Sequence, residues 1–369
     1  MPSILPVEAN FTFGFIGELH FSTVNGSEKD RHLYNYGRGV VSVPFTKGLH
    51  EISNGHHAYL QPSGTWGYSN AGLIIDGDQS LLVDTLFDER LTAEMLDEMK
   101  RSTNVGRADI TQLVNTHANG DHTFGNSLVT NARIIATAAG AEEMAHEAPP
   151  EFLADLMART AELGDLGKYL DAIFGPFDFA GITLRLPDET FKGKKALKVG
   201  DKQVELIEVG PAHTAGDMLV YVPSDKVIYT GDILFVGGTP IVWAGPVRNW
   251  IAACDLMLAK DIETVVPGHG PITDKDGIRA MRSYLVYVED EARKRHAAGM
   301  DAWEAAQDIA LAEFGAWEDP ERIAVTVDTI YRELNDDDSH RDILGLFQKM
   351  AALDKVYNPG RTCAHGHQH

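Results

Sequence analysis

The amino-acid sequence predicts an α/β protein. Strand and helix patterns alternate in its first two thirds, and helical patterns dominate after Pro271. Of the 369 residues, 44% are hydrophobic and 23% are charged, as in a folded protein with a sizeable core. We divide the chain into an N-terminal arm at residues 1–45, a main α/β domain at 46–272 and a C-terminal helical extension at 273–369. A helical insertion at about 138–176 interrupts the main domain.

Short apolar runs predict the strands of two sheet-forming blocks. Turn residues at Asn54-Gly55 and at Asp76-Gly77-Asp78 favour hairpins in the first block. The first block has predicted strands at 48–52, 57–61, 71–75, 80–83 and 110–115. The second has them at 204–209, 219–222, 227–229, 234–236 and 264–266.

Apolar residues at helical spacing predict the helices. Leu91, Met95, Leu96 and Met99 indicate a helix between two strands of the first block. The insertion, broken at Pro149-Pro150, is long enough to cover a cleft, as lids often do. Further helices are predicted near 278–288, 301–314, 323–334 and 342–353.

Charge and composition exclude several classes of partner. A net charge of −22 opposes binding to nucleic acid or to an anionic membrane surface. No apolar run approaches the roughly 18 residues of a membrane-spanning helix, and the first residues lack a secretory signal pattern, so we expect a cytoplasmic protein. Cys254 and Cys363 lie far apart, so any metal would be held by histidine and carboxylate. We expect a small-molecule substrate, and the arm and the helical tail favour a homodimer.

The strongest local signal follows the predicted strand at 110–115. The segment Thr116-His117-Ala118-Asn119-Gly120-Asp121-His122 places two imidazoles and a carboxylate in one short loop, and Gly120 eases a tight turn there. Loops at strand ends commonly carry functional residues. Alone, such a loop is more often ordinary surface polarity than a metal site.

Three further strand ends supply the same residue types. His213 follows the strand at 204–209, Asp232 follows the strand at 227–229, and His269 follows the strand at 264–266. Imidazole and carboxylate together suit zinc or iron. The recurrence at four strand ends therefore indicates a metal site.

This ordered series resembles the five motifs of the metallo-β-lactamase superfamily over roughly residues 48–272. The motifs are an early Asp, here Asp84 in Leu81-Leu82-Val83-Asp84-Thr85, then His-x-His-x-Asp-His, a second His, a bridging Asp and a last His. The resemblance implies a four-layer αββα sandwich, a catalytic main domain, and metals at the sheet edge between its two halves. It also implies that Asp84 supports a metal ligand from behind.

The resemblance assigns the metal ligands and shows one departure. The family's first metal would use His117, Asn119 and His213, and its second would use Asp121, His122 and His269, with Asp232 bridging them. Asn119 stands where the family has histidine, and an amide is a poor zinc ligand. We therefore expect one zinc at the main site formed by Asp121, His122, Asp232 and His269, and a weaker second site at His117 and His213.

The predicted reaction is hydrolysis. An open position on the metal lowers the pKa of bound water toward about 7 and yields hydroxide as the nucleophile. Asp121 or Asp232 would accept its proton, and Asn119, His117 and His213 would hold the substrate or stabilise the transition state. Trp66 and Trp243 are favoured as walls of an apolar pocket for an ester, lactone, amide or aryl halide.

The Asn119 loop, with Trp66-Gly67-Tyr68-Ser69-Asn70-Ala71-Gly72, is similar to the chlorothalonil hydrolytic dehalogenase-like proteins. That likeness implies one zinc and hydrolytic replacement of an aryl chloride. This group has asparagine where the chain has Asp232, so the substrate stays open.

Two other functions remain open at this stage. His117, His213 and Asp232 would also make the 2-His-1-carboxylate face of a non-haem iron oxygenase, against which Asn119 counts. A non-catalytic metal-binding protein would need a closed ligand set, and the surplus His117 and His213 argue against one.

Overall fold

The described residues, 43–361 in a computed structural model, form two β-sheets flanked by helices. Most of the predicted arm and Cys363 lie outside them. The first sheet has seven strands in sequence order; its first four are antiparallel and the rest run parallel. These strands are β1 Gly48–Ser53, β2 His56–Leu60, β3 Ala71–Asp76, β4 Gln79–Val83, β5 Gln112–Val114, β6 Arg133–Thr137 and β7 Glu189–Phe191.

The second sheet has five strands in the order β12-β11-β10-β9-β8. All neighbours are antiparallel except β11 and β12, which run parallel. Its strands are β8 Lys194–Val199, β9 Lys202–Glu208, β10 Met218–Val222, β11 Val227–Tyr229 and β12 Thr264–Val266.

Ten α-helices accompany the sheets within the described residues. The helices are α1 Glu89–Thr103, α2 Gly120–Thr123, α3 Ala138–His146, α4 Pro150–Ala158, α5 Gly164–Phe174, α6 Val247–Ala259, α7 Lys275–Ala297, α8 Ala302–Asp308, α9 Ile323–Leu334 and α10 Ile343–Tyr357. Helices α3 to α5 lie between β6 and β7, and α7 to α10 follow β12. None of the helices in residues 43–361 is both long and apolar enough to cross a membrane.

Alternation along the strands builds two apolar cores. In β10, Met218 and Val220 belong to a buried cluster that joins the two sheets, whereas Leu219 belongs to a cluster shared with helices. Successive side chains of a strand point to opposite faces, so each sheet packs against the other sheet on one face and against helices on the other. The layers are therefore αββα, as the resemblance to the metallo-β-lactamase superfamily implies.

Helix α1 shows how local sequence sets an element. The side chain of Asp88 accepts a hydrogen bond of 2.6 Å from the backbone N–H of Leu91 and caps the helix, a contact worth about 1 kcal/mol. Leu91, Met95 and Met99 lie on its buried face against the first sheet. This is the helix that the spacing predicts.

Two predicted elements are wrong, and three strands of the structure were not predicted. Residues 234–236 form no strand, because Phe235 makes only an isolated bridge to His269. The helix predicted at 301–314 ends at Asp308, and residues 312–316 form a separate 3₁₀ turn. Strands β6, β7 and β8 were not predicted; lysines interrupt the apolar alternation of β8.

Candidate metal centre

Four strand-end loops bring the predicted ligands together. The loop after β5 carries His117 to His122, and α2 begins within it at Gly120. The loops after β9, β11 and β12 carry His213, Asp232 and His269. One loop therefore comes from the first sheet and three from the second, and the ligands meet at the edge shared by both.

Asp232 lies at the centre of this group. Its Oδ1 is 3.0 Å from Nε2 of His122, and its Oδ2 is 3.4 Å from Nε2 of both His213 and His269. The same Oδ2 is 3.8 Å from Nε2 of His117. A single carboxylate thus reaches all four imidazoles, which fits the predicted bridging position.

Asp121 is the second carboxylate of this group. Its Oδ2 is 3.2 Å from Nε2 of His269 and 3.8 Å from Nε2 of His122. Within the described residues, two groups have ligand atoms close enough to share an ion, namely His117 with His213 and Asp232, and Asp121 with His122 and His269. The structure therefore brings all six predicted histidine and aspartate ligands to one place.

Each imidazole is oriented by a contact at its other ring nitrogen. Nδ1 of His213 donates to the carbonyl of Ile241 at 2.7 Å, and Nδ1 of His269 donates to the carbonyl of Gly64 at 3.1 Å. A carbonyl only accepts hydrogen bonds, so Nδ1 carries the proton in both rings and Nε2 faces the site. Such partners are usual behind metal-binding histidines.

Asp84 performs this task for His122. Nδ1 of His122 lies 3.0 Å from Oδ2 of Asp84, and the backbone N–H and hydroxyl of Thr116 both donate to the same carboxylate at 2.7 Å. Burial raises the pKa of Asp84, and these contacts lower it in part. Through these hydrogen bonds, Asp84 connects the end of β4 to the loop that carries His117 and His122.

The unpaired atoms of the site fit a bound cation. Nε2 of His117 is buried and makes no hydrogen bond, and Nε2 of His122 is buried with only the carboxylate of Asp232 beside it, at 3.0 Å. Burial opposes ionisation of Asp121, yet His122 and His269 lower its pKa to about 2, so it is a carboxylate at neutral pH. Nearby carboxylates also raise the pKa of His269 to about 9 despite burial. A metal would replace the protons that otherwise balance these carboxylates.

Asn119 is placed beside the metal ligands but has other partners. Its side-chain oxygen is 2.8 Å from Nε2 of His213, and its side-chain nitrogen donates to Oε1 of Glu147 at 3.0 Å. Burial raises the pKa of Glu147 to about 8, with a further contribution from Glu143. Sequence reasoning missed Glu147, since a glutamate at the end of a helix normally indicates only a solvated charge.

Aromatic rings cover one side of the ligands. The ring of Phe235 stacks on His269 with centroids 5.1 Å apart and an interplanar angle of 5°. The ring centroids of Trp250 and His213 are 5.7 Å apart, and the indole N–H of Trp250 donates to the carbonyl of Ile233. These rings keep water away from one face of the site. From the sequence, both belong to a group of aromatic residues near the predicted loops for which core packing was favoured over a pocket wall.

The two tryptophans predicted for the pocket differ in their surroundings. Trp66 is buried, with the Arg322 guanidinium 4.3 Å from its ring and Phe174 and Phe347 against it. Trp243 is half-buried, packs on Phe347, and its backbone N–H donates to the carbonyl of His213. The contacts of Trp66 are those of core packing, and a pocket role for either ring stays a prediction.

The comparisons with known proteins agree with this geometry. The sequence matches the family model of the metallo-beta-lactamase superfamily over residues 64–269, which is more than half of the chain. The protein therefore belongs to the metallo-beta-lactamase superfamily.

Individual relatives are distant. The chain is 24% identical over 205 residues to the 2,4-dinitroanisole O-demethylase subunit alpha of Nocardioides sp. strain JS1661, covering 53% of this chain and 51% of the relative. It is 24% identical over 210 residues to metallo-beta-lactamase type 2 of Bacillus cereus, covering 55% and 68%. Among solved structures, the sec-alkylsulfatase Pisa1 of Pseudomonas sp. shares the fold with a TM-score of 0.60 and 16% identity, over 78% of this chain and 50% of that one. The chain thus spans about half the length of the demethylase subunit and of the alkylsulfatase.

We expect Asp84→Ala to weaken metal binding by about 10- to 100-fold, because removal of a partner behind a ligand commonly has that effect. The reason is that His122 loses the contact that orients its ring and Thr116 loses its acceptor. Competition with a chelator of known affinity measures the change. Asp97→Ala, at an exposed carboxylate of α1, is the control. Unchanged affinity in Asp84→Ala would show that the loop holds His122 without this carboxylate.

Proposed function

We propose that this protein is a zinc-dependent hydrolase acting on a small, hydrophobic substrate. The observation that supports it most is the convergence of four imidazoles and two carboxylates, with the Nε2 atom of His117 buried and unpaired. Buried polar groups without partners are rare in folded proteins and need an explanation. A bound cation gives one here.

One zinc would be held at the main site by Asp121, His122, Asp232 and His269. These residues fit because their ligand atoms approach one another and no other side chain occupies Nε2 of His122. The second site is weaker, because Asn119 takes the place of a histidine and an amide is a poor zinc ligand; its oxygen lies 2.8 Å from Nε2 of His213. When bound, zinc would supply Lewis acidity and an activated nucleophile at neutral pH.

The protein's own residues would position the substrate and would accept or donate protons. Asp121 is ionised and retains a free face, with a side chain about 15% exposed, so its carboxylate can accept a proton from an approaching water. Asn119 offers an amide to a substrate oxygen or halogen; His213 lies beside it, and the rings of His117 and His213 have centroids 5.0 Å apart. Phe235 and Trp250 limit water on the covered side.

The substrate class follows from the apolar surroundings and from the relatives. We propose an ester, lactone, amide or aryl halide, with hydrolytic dehalogenation included. The demethylase relative is named for a dinitrated aromatic ether, which supports an activated aromatic substrate. The cytoplasmic location, the homodimer and the lack of nucleic-acid and membrane partners stay predictions.

A second candidate is a non-haem iron oxygenase. It is favoured by one observation, the separate grouping of His117, His213 and Asp232 as a 2-His-1-carboxylate set. A protein that binds metal without turnover is the third candidate.

Reconstitution separates these candidates. Metal-free protein would be loaded with zinc or with ferrous iron and assayed on a panel of esters, lactones, amides and aryl chlorides, with chloride release as one readout. Zinc-supported hydrolysis without oxygen uptake supports the proposal. Activity only with iron and oxygen supports the oxygenase, and metal binding with no turnover of any compound supports the binding protein.

A further inference from the structure

The backbone segment at residues 239–245 holds His213, and the C-terminal extension holds this segment in turn. The family match ends at residue 269, so the extension lies outside it. Side chains of the extension donate hydrogen bonds to three carbonyls of the segment, those of Thr239, Val242 and Trp243. We infer that the extension is part of the framework of the metal centre, with Thr329 and Arg341 as positioning residues that act on His213 through this segment. This inference rests on the metal-dependent function proposed above.

The 239–245 segment contacts His213 at three points. The carbonyl of Ile241 accepts a hydrogen bond of 2.7 Å from Nδ1 of His213. The backbone N–H groups of Trp243 and Ala244 both donate to the carbonyl of His213, at 2.9 and 3.0 Å. The segment therefore fixes both the ring and the backbone of this buried histidine, and a displaced segment would move the imidazole that faces the site.

Thr329 of α9 supports the segment directly. Its hydroxyl lies 2.6 Å from the carbonyl of Val242, whereas its other acceptor, the carbonyl of Val325 in the same helix, is farther away at 3.0 Å. Thr329 and Val242 are both buried, so water does not reach this contact from outside. Loss of the hydroxyl would remove this donor from a buried carbonyl, which costs free energy.

Arg341, just before α10, supports the same part of the segment. Its guanidinium donates to the carbonyl of Trp243 and to the hydroxyl of Thr329, and it pairs with Asp328 at 2.9 Å. The planar guanidinium presents several donors in fixed directions, which suits a group that joins three acceptors. Arg341 and Thr329 therefore form one hydrogen-bonded unit with the segment.

Arg322 extends this support toward a second histidine. Its guanidinium donates to the carbonyl of Thr239 at 3.0 Å and lies 4.3 Å from the ring of Trp66. It also lies 5.6 Å from the ring of Phe235, which stacks on His269. The extension thus supports the surroundings of two of the four histidines of the site.

Hydrogen–deuterium exchange of the metal-free, full-length protein tests this support. Thr329→Val keeps the shape of the side chain but removes the hydroxyl, so amides of the 239–245 segment should exchange about fivefold faster or more, the effect of one lost hydrogen bond. Thr329→Ser keeps the hydroxyl and should match the wild type. The matched control is Thr326→Val in the same helix, because the Thr326 hydroxyl lies 3.5 Å from its acceptors. Exchange in β2 should stay unchanged in every variant.

Zinc titration relates the segment to the metal site. In Thr329→Val, the first equivalent should bind as in the wild type, because His213 is not a ligand of the main site. Affinity for a second equivalent should fall by about tenfold, as when a partner behind a ligand is lost. Thr329→Ser should keep the wild-type affinity. If the wild type takes up a single zinc, the exchange measurement alone decides.

Arg341→Lys is the second variant, and it keeps the test decisive if Thr329→Val does not fold. Lysine retains the charge but not the planar fork, so exchange of the segment should again be faster. Its control is Arg282→Lys, at an exposed ion pair with Asp255.

The inference is overturned if the 239–245 segment exchanges at the same rate in the wild type, Thr329→Val and Arg341→Lys. It is also overturned if Thr329→Ser or Thr326→Val accelerates exchange as much as Thr329→Val does, or if both zinc equivalents weaken equally. Failure of the proposed function looks different, since then the wild type would bind no zinc while the exchange rates would still differ between the variants.

Discussion

Asp232→Ala should abolish turnover, with kcat/KM falling by about 10³-fold or more, which corresponds to about 4 kcal/mol. Asp232 is buried, and its two oxygens lie within 3.0 to 3.8 Å of four imidazoles. Without it, the site loses the one carboxylate shared by both ligand groups. The steady-state kinetics of whichever substrate the panel identifies measure this loss.

The matched control is Asp261→Ala, which removes an exposed carboxylate that pairs with Lys226 in the same half of the protein. It should leave kcat/KM unchanged. Near-normal activity in Asp232→Ala, in protein shown to be folded, would mean that the reaction does not depend on this centre.

Removal of the metal should lower the free energy of unfolding. A ligand that binds only the folded state stabilises it by about 4 kcal/mol when its free concentration is about 1,000 times Kd. In addition, the buried carboxylates of Asp121 and Asp232 lose the cation that balances them. Urea denaturation with free zinc buffered at that level, and again with chelator, measures the difference.

The control for this experiment is the Asp121→Ala variant, whose stability should not respond to the chelator because it should hold no metal. Added zinc should restore the stability of the wild type. An unfolding curve that is identical with zinc and with chelator would contradict a structural contribution from the metal.

The main ligands could be predicted from the sequence because each follows an apolar strand. His117, His213 and His269 follow the apolar runs that form β5, β9 and β12, and these three strands end at the edge shared by the two sheets. The superfamily resemblance then indicated which loops meet and that the layers lie in the order αββα. Spacing alone would have predicted strands and helices without saying which loops meet.

Other parts of the site could not be predicted, for physical reasons. Glu147 becomes partly buried where α3 docks on the His213 loop through Gly140 and Gly216, a tertiary contact with no local signal. Phe235 belongs to an apolar run that suggests a strand, but its ring stacks on His269 instead. Strand β8 was missed because only Leu197 and Val199 of its six residues are buried.

Metal content per chain, measured on purified wild type, Asp121→Ala and His117→Ala, tests the central claim most directly. We predict about one zinc in the wild type, lost in Asp121→Ala and kept in His117→Ala, since zinc prefers about four such ligands and the main site supplies them without His117. Two zinc ions in the wild type would contradict a single metal, and bound iron would favour the oxygenase. A wild-type protein without any metal would contradict the proposed function itself.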